Sequence, residues 1–215
     1  MTHPSPAAPR GRHAPPLEVR QDRQRARLFA AAAAVFARSG YADASAEAIA
    51  REAGMSKATF YEHFDNKEDC IVALFDAAIA TLADAMTSAG EAHVSSDPST
   101  RVHATVRAYL QTLADYPDQS RTLLVEIVGA GPRAIERRDA ALARLAQTID
   151  GFNRVDAERR LVSRFASPHD AFAIVGAVVE LASRQLRTGR PADIRELEPV
   201  IERLALGLVG AVTPG

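Results

Sequence analysis

The chain has 215 residues, of which 47% are hydrophobic and 25% charged, and its formal net charge is −1. These values indicate an ordinary globular protein of one larger domain or two small ones, and a near-neutral charge does not by itself indicate a nucleic-acid partner. The single cysteine, Cys70, excludes an internal disulfide framework and a multi-cysteine zinc site, and is typical of a reducing cytosol.

Residues 1–16 are rich in Pro, Ala, Arg and His, a composition that cannot bury a core. We expect them to form a disordered, basic and proline-rich tail. They contain no apolar stretch of the kind that a signal peptide needs, and no run in the chain approaches the ~18 apolar residues that span a bilayer. We therefore expect a cytoplasmic protein without a membrane partner.

Helical patterns begin after this tail. Apolar residues at helical spacing predict a first helix over about 18–39, which Gly40 would end. Ser45 is predicted to cap a second helix that ends at Gly54. Ser56 is predicted to cap a third helix only two residues later.

Lys67 is predicted to start a fourth, longer helix, and the helix-and-break rhythm continues to the C-terminus. The later helices are expected over about 67–89, 99–115, 118–129, 132–160, 168–188 and 193–212. No strand alternation competes with them, so the sequence predicts an all-α fold of about nine helices. The domain boundary is expected near residue 67, within a helix that both domains share.

Residues 45–67, SAEAIAREAGMSKATFYEHFDNK, have the pattern of a helix-turn-helix. In that motif the second helix enters the major groove and its first turns meet base edges. The outward positions of this helix carry side chains that form hydrogen bonds, whereas Phe60 and Phe64 face inward. The spacing alone also fits a plain helical hairpin whose polar face meets only water.

The order of residue types in this segment resembles the TetR family of transcriptional regulators. The residues that carry the resemblance are Ser45, Ile49-Ala50, Ala53-Gly54, Ser56-Lys57, Thr59-Phe60-Tyr61-Glu62-His63-Phe64 and Lys67. The preceding Phe36-Ala37-Arg38-Ser39-Gly40-Tyr41 is similar to the exit of the family's first helix. The resemblance covers about residues 25–75, and Cys70 stands where the family usually has leucine.

The resemblance implies a helix-turn-helix DNA-binding domain over residues 17–66 and a ligand-binding and dimerisation domain over residues 67–215. The implied contacts to double-stranded operator DNA are Ser45, Ser56, Lys57, Ala58, Thr59, Tyr61, His63 and Lys67. Lys57 and Thr59 would contact bases or phosphates, and Ala58 only a thymine methyl group. Ser45, Tyr61, His63 and Lys67 would bind phosphates. Loss of the Lys67 ammonium group would then flatten the salt dependence of binding by roughly one unit.

A regulator of this kind is expected to be a homodimer, because two reading helices must enter successive major grooves. The predicted helices 168–188 and 193–212 are the candidate interface. The residues expected there are Phe172, Val175, Gly176, Val179, Ser183, Ile201, Leu204 and Leu208.

The function implied by the resemblance is a repressor that a small-molecule effector releases from its operator. The effector pocket is expected among the helices between 67 and 160, with polar candidates His103, Tyr109, Arg121, Glu126 and Gln147, but sequence cannot separate pocket from core and the ligand contacts stay unassigned. No cofactor or metal is expected. An enzyme is not expected, because no phosphate loop, nucleophile elbow or metal-ligand spacing is present. The alternatives are an activator of the same family, and a helical ligand-binding or interaction protein without operator binding.

A basic segment runs from Arg10 to Arg27, where six arginines are accompanied only by Glu18 and Asp22 as acidic residues. Two interpretations remain open. The segment is either a solvated tail and helix face, or it reaches a minor groove or flanking phosphates from Arg10 and Arg12.

Overall fold

The computed structural model describes residues 16–209, and within that range it contains nine α-helices, two short 3-10 helices and no strand. The predicted all-α fold is confirmed. The α-helices are α1 Leu17–Asp43, α2 Ala46–Glu52, α3 Lys57–His63, α4 Lys67–Glu91, α5 Pro98–Asp115, α6 Pro117–Leu124, α7 Pro132–Glu158, α8 Asp170–Thr188 and α9 Glu198–Val209. The 3-10 helices are Glu126–Gly129 and Ile194–Leu197. The expected disordered tail lies outside the described residues, apart from Pro16.

Polar side chains begin four of these helices in the way the sequence suggests. Ser45, Ser56, Asn66 and Asp97 each accept a hydrogen bond from a backbone N–H in the first turn, which satisfies donors that the helix itself leaves unpaired. Hydrogen bonds from the hydroxyl groups of Ser99 and Thr100 also hold the pKa of Asp97 well below its usual range.

Helix α1 runs to Asp43 but is broken at Gly40, as predicted. Gly40 has a φ of 76°, in the left-handed region that favours glycine. The chain then turns and reaches Ser45, the cap of α2. A side chain at position 40 would also contact the Glu126 carboxylate, which lies 3.6 Å from the position of its Cβ.

Three predicted helices differ from the observed ones. The expected helix 118–129 is observed as α6, which ends at Leu124, followed by the 3-10 helix Glu126–Gly129. The expected helix 168–188 begins at Asp170. In the turn before it, the Ser167 hydroxyl accepts from His169 N, and the Asp170 carboxylate accepts from Ser167 N. The expected helix 193–212 begins instead as the 3-10 helix Ile194–Leu197 and continues as α9. Residues 210–212 of this prediction lie outside the described residues.

The N-terminal helices are joined to the rest of the protein over two surfaces. Helix α1 packs against α2 and α4, and it also packs against α6 and the 3-10 helix Glu126–Gly129. Helix α4 packs against α5, α6 and α7, so it is shared between the two halves of the chain. Helix α8 packs on α6 and α7, and α9 on α5 and α8.

By length and composition alone, α4 meets the requirement for a membrane-spanning helix, contrary to the expectation from the sequence. A core helix of a globular protein passes the same test. In α4 the buried residues are Cys70, Ile71, Leu74, Phe75 and Leu82, and they belong to the hydrophobic core of the chain. We therefore describe α4 as a core helix.

Candidate nucleic-acid interface

Helices α2 and α3 form a helix-turn-helix whose two N-caps set the start of each helix. The Ser45 hydroxyl accepts from Ala48 N at 3.1 Å, and the Ser56 hydroxyl accepts from Thr59 N at 3.0 Å. Between the helices, Gly54 has a φ of 64°. A Cβ at Gly54 would lie 3.3 Å from the guanidinium of Arg27, so both backbone conformation and space favour glycine in this turn.

Aromatic packing fixes the inner face of α3. Phe60 is fully buried, and its ring lies 5.4 Å from that of Phe64 and 5.5 Å from that of Tyr61. Phe64 in turn lies 5.8 Å from Phe29 of α1. These contacts anchor α3 against α1 and leave its opposite face free.

The free face of the helix-turn-helix carries most of the residues predicted to contact DNA. Exposed residues are Ser45, Ser56, Lys57, Ala58 and Tyr61, whereas Thr59, His63 and Lys67 are half-buried. Tyr61 is 48% exposed although its ring rests against Phe60. Glu62, near the C-terminal end of α3, is also exposed and is acidic. The first turn of α3, with a buried apolar side and an uncharged-to-basic outer side, fits the shape and charge of a major groove.

Lys57 is held only weakly by its neighbours. Its Nζ lies 3.8 Å from a carboxylate oxygen of Glu47, and both side chains are more than half exposed. An exposed pair of this kind contributes about 0–1 kcal/mol. The lysine is therefore free to exchange this partner for a phosphate or a base.

Residues of α1 support the end of α3, a role that sequence reasoning missed. The Arg27 guanidinium donates to Ala53 O at 2.6 Å, in the turn between α2 and α3. The Arg25 guanidinium lies 5.3 Å from the ring centre of Phe64. Gln24 Oε1 lies 3.4 Å from His63 Nε2. The concentration of arginines in this part of the sequence was the available signal.

Lys67 occupies a different environment from the other predicted DNA contacts. Its Nζ donates to the backbone oxygens of Tyr41, Ala42 and Ala44 at 2.8, 3.0 and 3.1 Å. It also lies 4.4 Å from the centre of the Tyr41 ring. All three ammonium hydrogens are thus directed to residues 41–44, the segment after the break at Gly40 that joins α1 to α2. A phosphate contact by Lys67 stays a prediction, and this geometry assigns the side chain a structural task.

A second contact holds the same segment from the other side. Glu126 Oε2 accepts from Tyr41 N at 3.0 Å, and Glu126 Oε1 lies 3.3 Å from Arg121 Nε. Arg121 Nη1 also donates to Leu186 O at 2.8 Å. Two hydrogen bonds and one ion pair among Tyr41, Glu126, Arg121 and Leu186 therefore connect the end of α1 with α6 and α8. We call these four residues the junction.

The residues predicted for a dimer interface divide into two groups. Phe172, Gly176 and Leu208 are exposed, and Leu204 is half-buried. Val175, Val179, Ser183 and Ile201 are buried, and the Ser183 hydroxyl donates to Leu124 O inside the chain. These four pack within their own protomer, and a dimer interface on α8 and α9 stays a prediction.

Two open grooves lie outside the helix-turn-helix. One, of about 400 Å³, lies between α1, α6 and α8 and is lined in part by the junction residues Arg121 and Leu186. The other, of about 590 Å³, lies beside the C-terminal part of α8 and is lined by Leu181, Arg184 and Pro191 among others. Tyr109 of α5, one of the polar candidates for the effector pocket, has a buried hydroxyl without a hydrogen-bond partner in the described part of the chain. An effector pocket among helices α4 to α7 stays a prediction.

Cys70 is part of the core. The side chain is fully buried in α4, and this burial raises the pKa of the thiol to about 12. The thiol therefore stays protonated near neutral pH, and the residue packs as a small apolar side chain in the core.

Residues 28–74 match the family described as "Bacterial regulatory proteins, tetR family". This range begins at the first buried residue of α1, covers α2 and α3, and ends within α4. No curated protein matches the sequence.

Solved structures match almost the whole fold at low sequence identity. The fatty acid degradation regulator FadR from Bacillus halodurans has a TM-score of 0.76 at 20% identity, over 85% of this chain and 94% of that one. FadR from Bacillus subtilis, solved with stearoyl-CoA, has a TM-score of 0.74 at 17% identity, over 87% and 99%. NalD from Pseudomonas aeruginosa, the secondary repressor of the MexAB-OprM multidrug efflux pump, has a TM-score of 0.68 at 21% identity, over 89% and 98%. Residues 28–74 of the chain therefore resemble the tetR family, and the chain shares the all-α fold of these solved regulators.

Proposed function

We propose that this chain, which carries a TetR-family DNA-binding domain, is a homodimeric repressor that a small-molecule effector releases from operator DNA in the cytoplasm. The observation that carries the proposal is the outer face of α3, where Ser56, Lys57 and Tyr61 are exposed while Phe60 anchors the helix from behind. Phosphate contacts would set the register of this helix on the duplex, and base contacts would choose the sequence.

Three features support effector control. Helix α4 runs from the helix-turn-helix into the core of the remainder of the chain, so movement in that core reaches the reading helices. The junction provides a second connection, through α6 and α8. The buried hydroxyl of Tyr109 lacks a partner, and buried polar groups of native proteins nearly always have one. A small molecule that accepts or donates a hydrogen bond there would supply it.

The first experiment is selection of a binding site from a randomised pool of duplex DNA, followed by titration of the selected duplex against salt. We expect a palindromic site and an affinity that falls steeply with salt, as phosphate contacts require. Lys57→Ala and Tyr61→Ala should both weaken binding. Failure to select any sequence, or binding that is insensitive to salt, would favour the alternative of a helical ligand-binding or interaction protein without an operator.

The same duplex tests the effector. Stearoyl-CoA is the first probe, because it is bound in the Bacillus subtilis protein of the same fold. When its effector binds, the affinity of such a repressor for the duplex should fall by a factor of about 5–150, the usual range of coupling between two binding sites. If stearoyl-CoA leaves the affinity unchanged, it is not the effector, and a wider set of small molecules follows in the same assay.

The proposed dimer uses the exposed sides of α8 and α9, with Phe172, Gly176 and Leu208 in contact with the partner. Gly176 gives the sharpest test. A Cβ at this position would meet no heavy atom of its own protomer within 4 Å. Gly176→Gln should leave the protomer folded, because it removes a helix-weakening glycine. In the dimer the added side chain would overpack the interface and destabilise it by about 1–3 kcal/mol per copy. We expect dimerisation to weaken at least about tenfold in sedimentation experiments.

Gly151→Gln is the matched control for this variant. Gly151 lies in α7, where an added Cβ also meets no heavy atom within 4 Å. Its substitution should leave the dimerisation constant unchanged. Equal constants for the two variants would contradict the α8–α9 interface.

A further inference from the structure

The first three turns of α1 lie outside the core. The first buried residue of α1 is Leu28, and every residue from Leu17 to Arg27 is exposed except the half-buried Gln24. A helix segment that buries so little against its own protein gains little stability from packing. This segment carries part of the basic sequence that the proposed function does not use.

The charges of the segment are separated between faces of the helix. Arg20, Arg23 and Arg27 follow the spacing i, i+3, i+7 and lie on one face, which we call the arginine stripe. Glu18 and Asp22, four residues apart, lie on another face. Within residues 16–209, Arg20 and Arg23 make no ion pair, so their charges are not neutralised by this part of the chain.

The contact of Arg27 orients the arginine stripe. Its guanidinium donates to Ala53 O, in the turn between α2 and α3. That turn directly precedes the N-terminal end of α3, the part of a reading helix that approaches base edges. The stripe therefore runs along the side of α1 that faces the turn. From Arg27, Arg23 extends the stripe by one turn of helix and Arg20 by two, beyond the core.

The third turn of α1 also contacts the C-terminal end of α3. Gln24 lies beside His63, the last residue of α3, and Arg25 lies against the Phe64 ring. These contacts hold Arg23 next to the proposed DNA-binding face. The stripe thus continues the cationic surface of the helix-turn-helix past the base pairs that α3 reads.

We infer that Arg20 and Arg23 bind phosphates of the DNA that flanks those base pairs, an inference that rests on the proposed function. The partner is the sugar-phosphate backbone, because guanidinium groups match phosphate oxygens in charge and geometry. Such contacts add affinity without adding sequence choice. In a dimer the stripe would lengthen the bound segment at both ends.

The test compares the double variant Arg20→Gln/Arg23→Gln with wild type on the selected duplex and on a random-sequence duplex of equal length. Each phosphate contact contributes about 0.9 to the slope of log affinity against log salt. We expect the slope per dimer to fall by about two to four units. Binding should weaken by a similar factor on both duplexes, since no base contact is lost.

Two further variants separate this effect from net charge and from helix fraying. Arg144→Gln/Arg159→Gln removes the same charge from exposed positions of α7 and its C-cap, and should keep the wild-type slope. Arg20→Lys/Arg23→Lys keeps the charge and should restore most of the slope. The inference is overturned if the salt slope of Arg20→Gln/Arg23→Gln lies within about one unit of the slope of Arg144→Gln/Arg159→Gln. Wild-type protein that selects no duplex would instead overturn the proposed function.

Discussion

Replacement of Lys67 by alanine is expected to lower the free energy of unfolding by about 2–4 kcal/mol and to abolish specific DNA binding. The variant removes three hydrogen bonds from a charged donor to backbone oxygens. Hydrogen bonds to charged groups contribute about 1.5–3 kcal/mol each, and we discount the total because the Ala42 carbonyl is exposed and water replaces the lost donor there. Without the ammonium group, the segment between α1 and α2 loses its fixed path, and α2 and α3 lose their orientation.

Chemical denaturation and a salt titration of DNA binding distinguish this result from a phosphate contact. If Lys67 binds phosphate instead, stability should be nearly unchanged and the salt slope should fall by roughly one unit per lost contact. Lys57→Ala is the matched control, because Lys57 is exposed and only weakly paired. That variant should keep the stability of wild type and flatten the slope. Wild-type stability in Lys67→Ala would show that the backbone contacts of Lys67 are dispensable.

Replacement of Glu126 by alanine is expected to weaken operator binding although Glu126 lies outside the helix-turn-helix. Its side chain is only 12% exposed and holds both Tyr41 N and the Arg121 guanidinium. Its loss leaves the Tyr41 N–H without its acceptor and takes away the carboxylate that pairs with the Arg121 guanidinium. Because Arg121 is one-third exposed and water partly replaces the carboxylate, we expect a loss of about 1–3 kcal/mol in stability. Operator affinity should fall because the end of α1 is no longer held to α6.

Glu126→Gln separates the two contacts of this carboxylate. Glutamine keeps an oxygen that accepts from Tyr41 N but removes the charge that pairs with Arg121. If the Tyr41 contact positions α1, Glu126→Gln should bind the operator nearly as well as wild type. Glu136→Ala, at an exposed position of α7, is the control for loss of an acidic residue. If Glu126→Ala binds the operator with the affinity of wild type, the junction does not position α2 and α3.

The sequence predicted the helix-turn-helix well because its determinants are local. Ser45 and Ser56 cap helices that start at the next residue, and Gly54 allows the turn between them. Such signals depend on a few neighbouring residues. The inward orientation of Phe60 follows from the same short-range spacing, and the structure buries it fully.

The sequence could not separate exposed from buried positions among the residues predicted for the dimer interface, because residues 171–179 of α8 carry no polar side chain. Phe172 and Val175 are three residues apart and are therefore neighbours on the helix surface, but helical spacing does not say which of them meets the protomer's own core. In the structure Val175 packs inward against the chain, and Phe172 is left exposed. The choice depends on where α6 and α7 lie, which no local pattern states.

Long-range contacts were not predictable for the same reason. Lys67 reaches carbonyl groups 23–26 residues earlier in the chain, and Glu126 reaches a backbone N–H 85 residues earlier. Each contact exists because the fold brings distant segments together. A lysine that begins a helix after a helix-turn-helix has the same sequence pattern whether it binds a phosphate or a backbone carbonyl.

The contacts of Tyr41 limit how this protein can be re-engineered. Its carbonyl is held by Lys67 and its amide by Glu126, so the C-terminal half completes the fold of the N-terminal half. A chimaera that grafts residues 17–66 onto a foreign sensor would leave both groups without partners. To keep specificity, such a graft should carry α4 with it and supply an acidic residue at the position equivalent to Glu126. The N-terminal helices and the rest of this fold are therefore not interchangeable parts, and recombination between relatives should succeed only where the contacts of Tyr41 with Lys67 and Glu126 are inherited together.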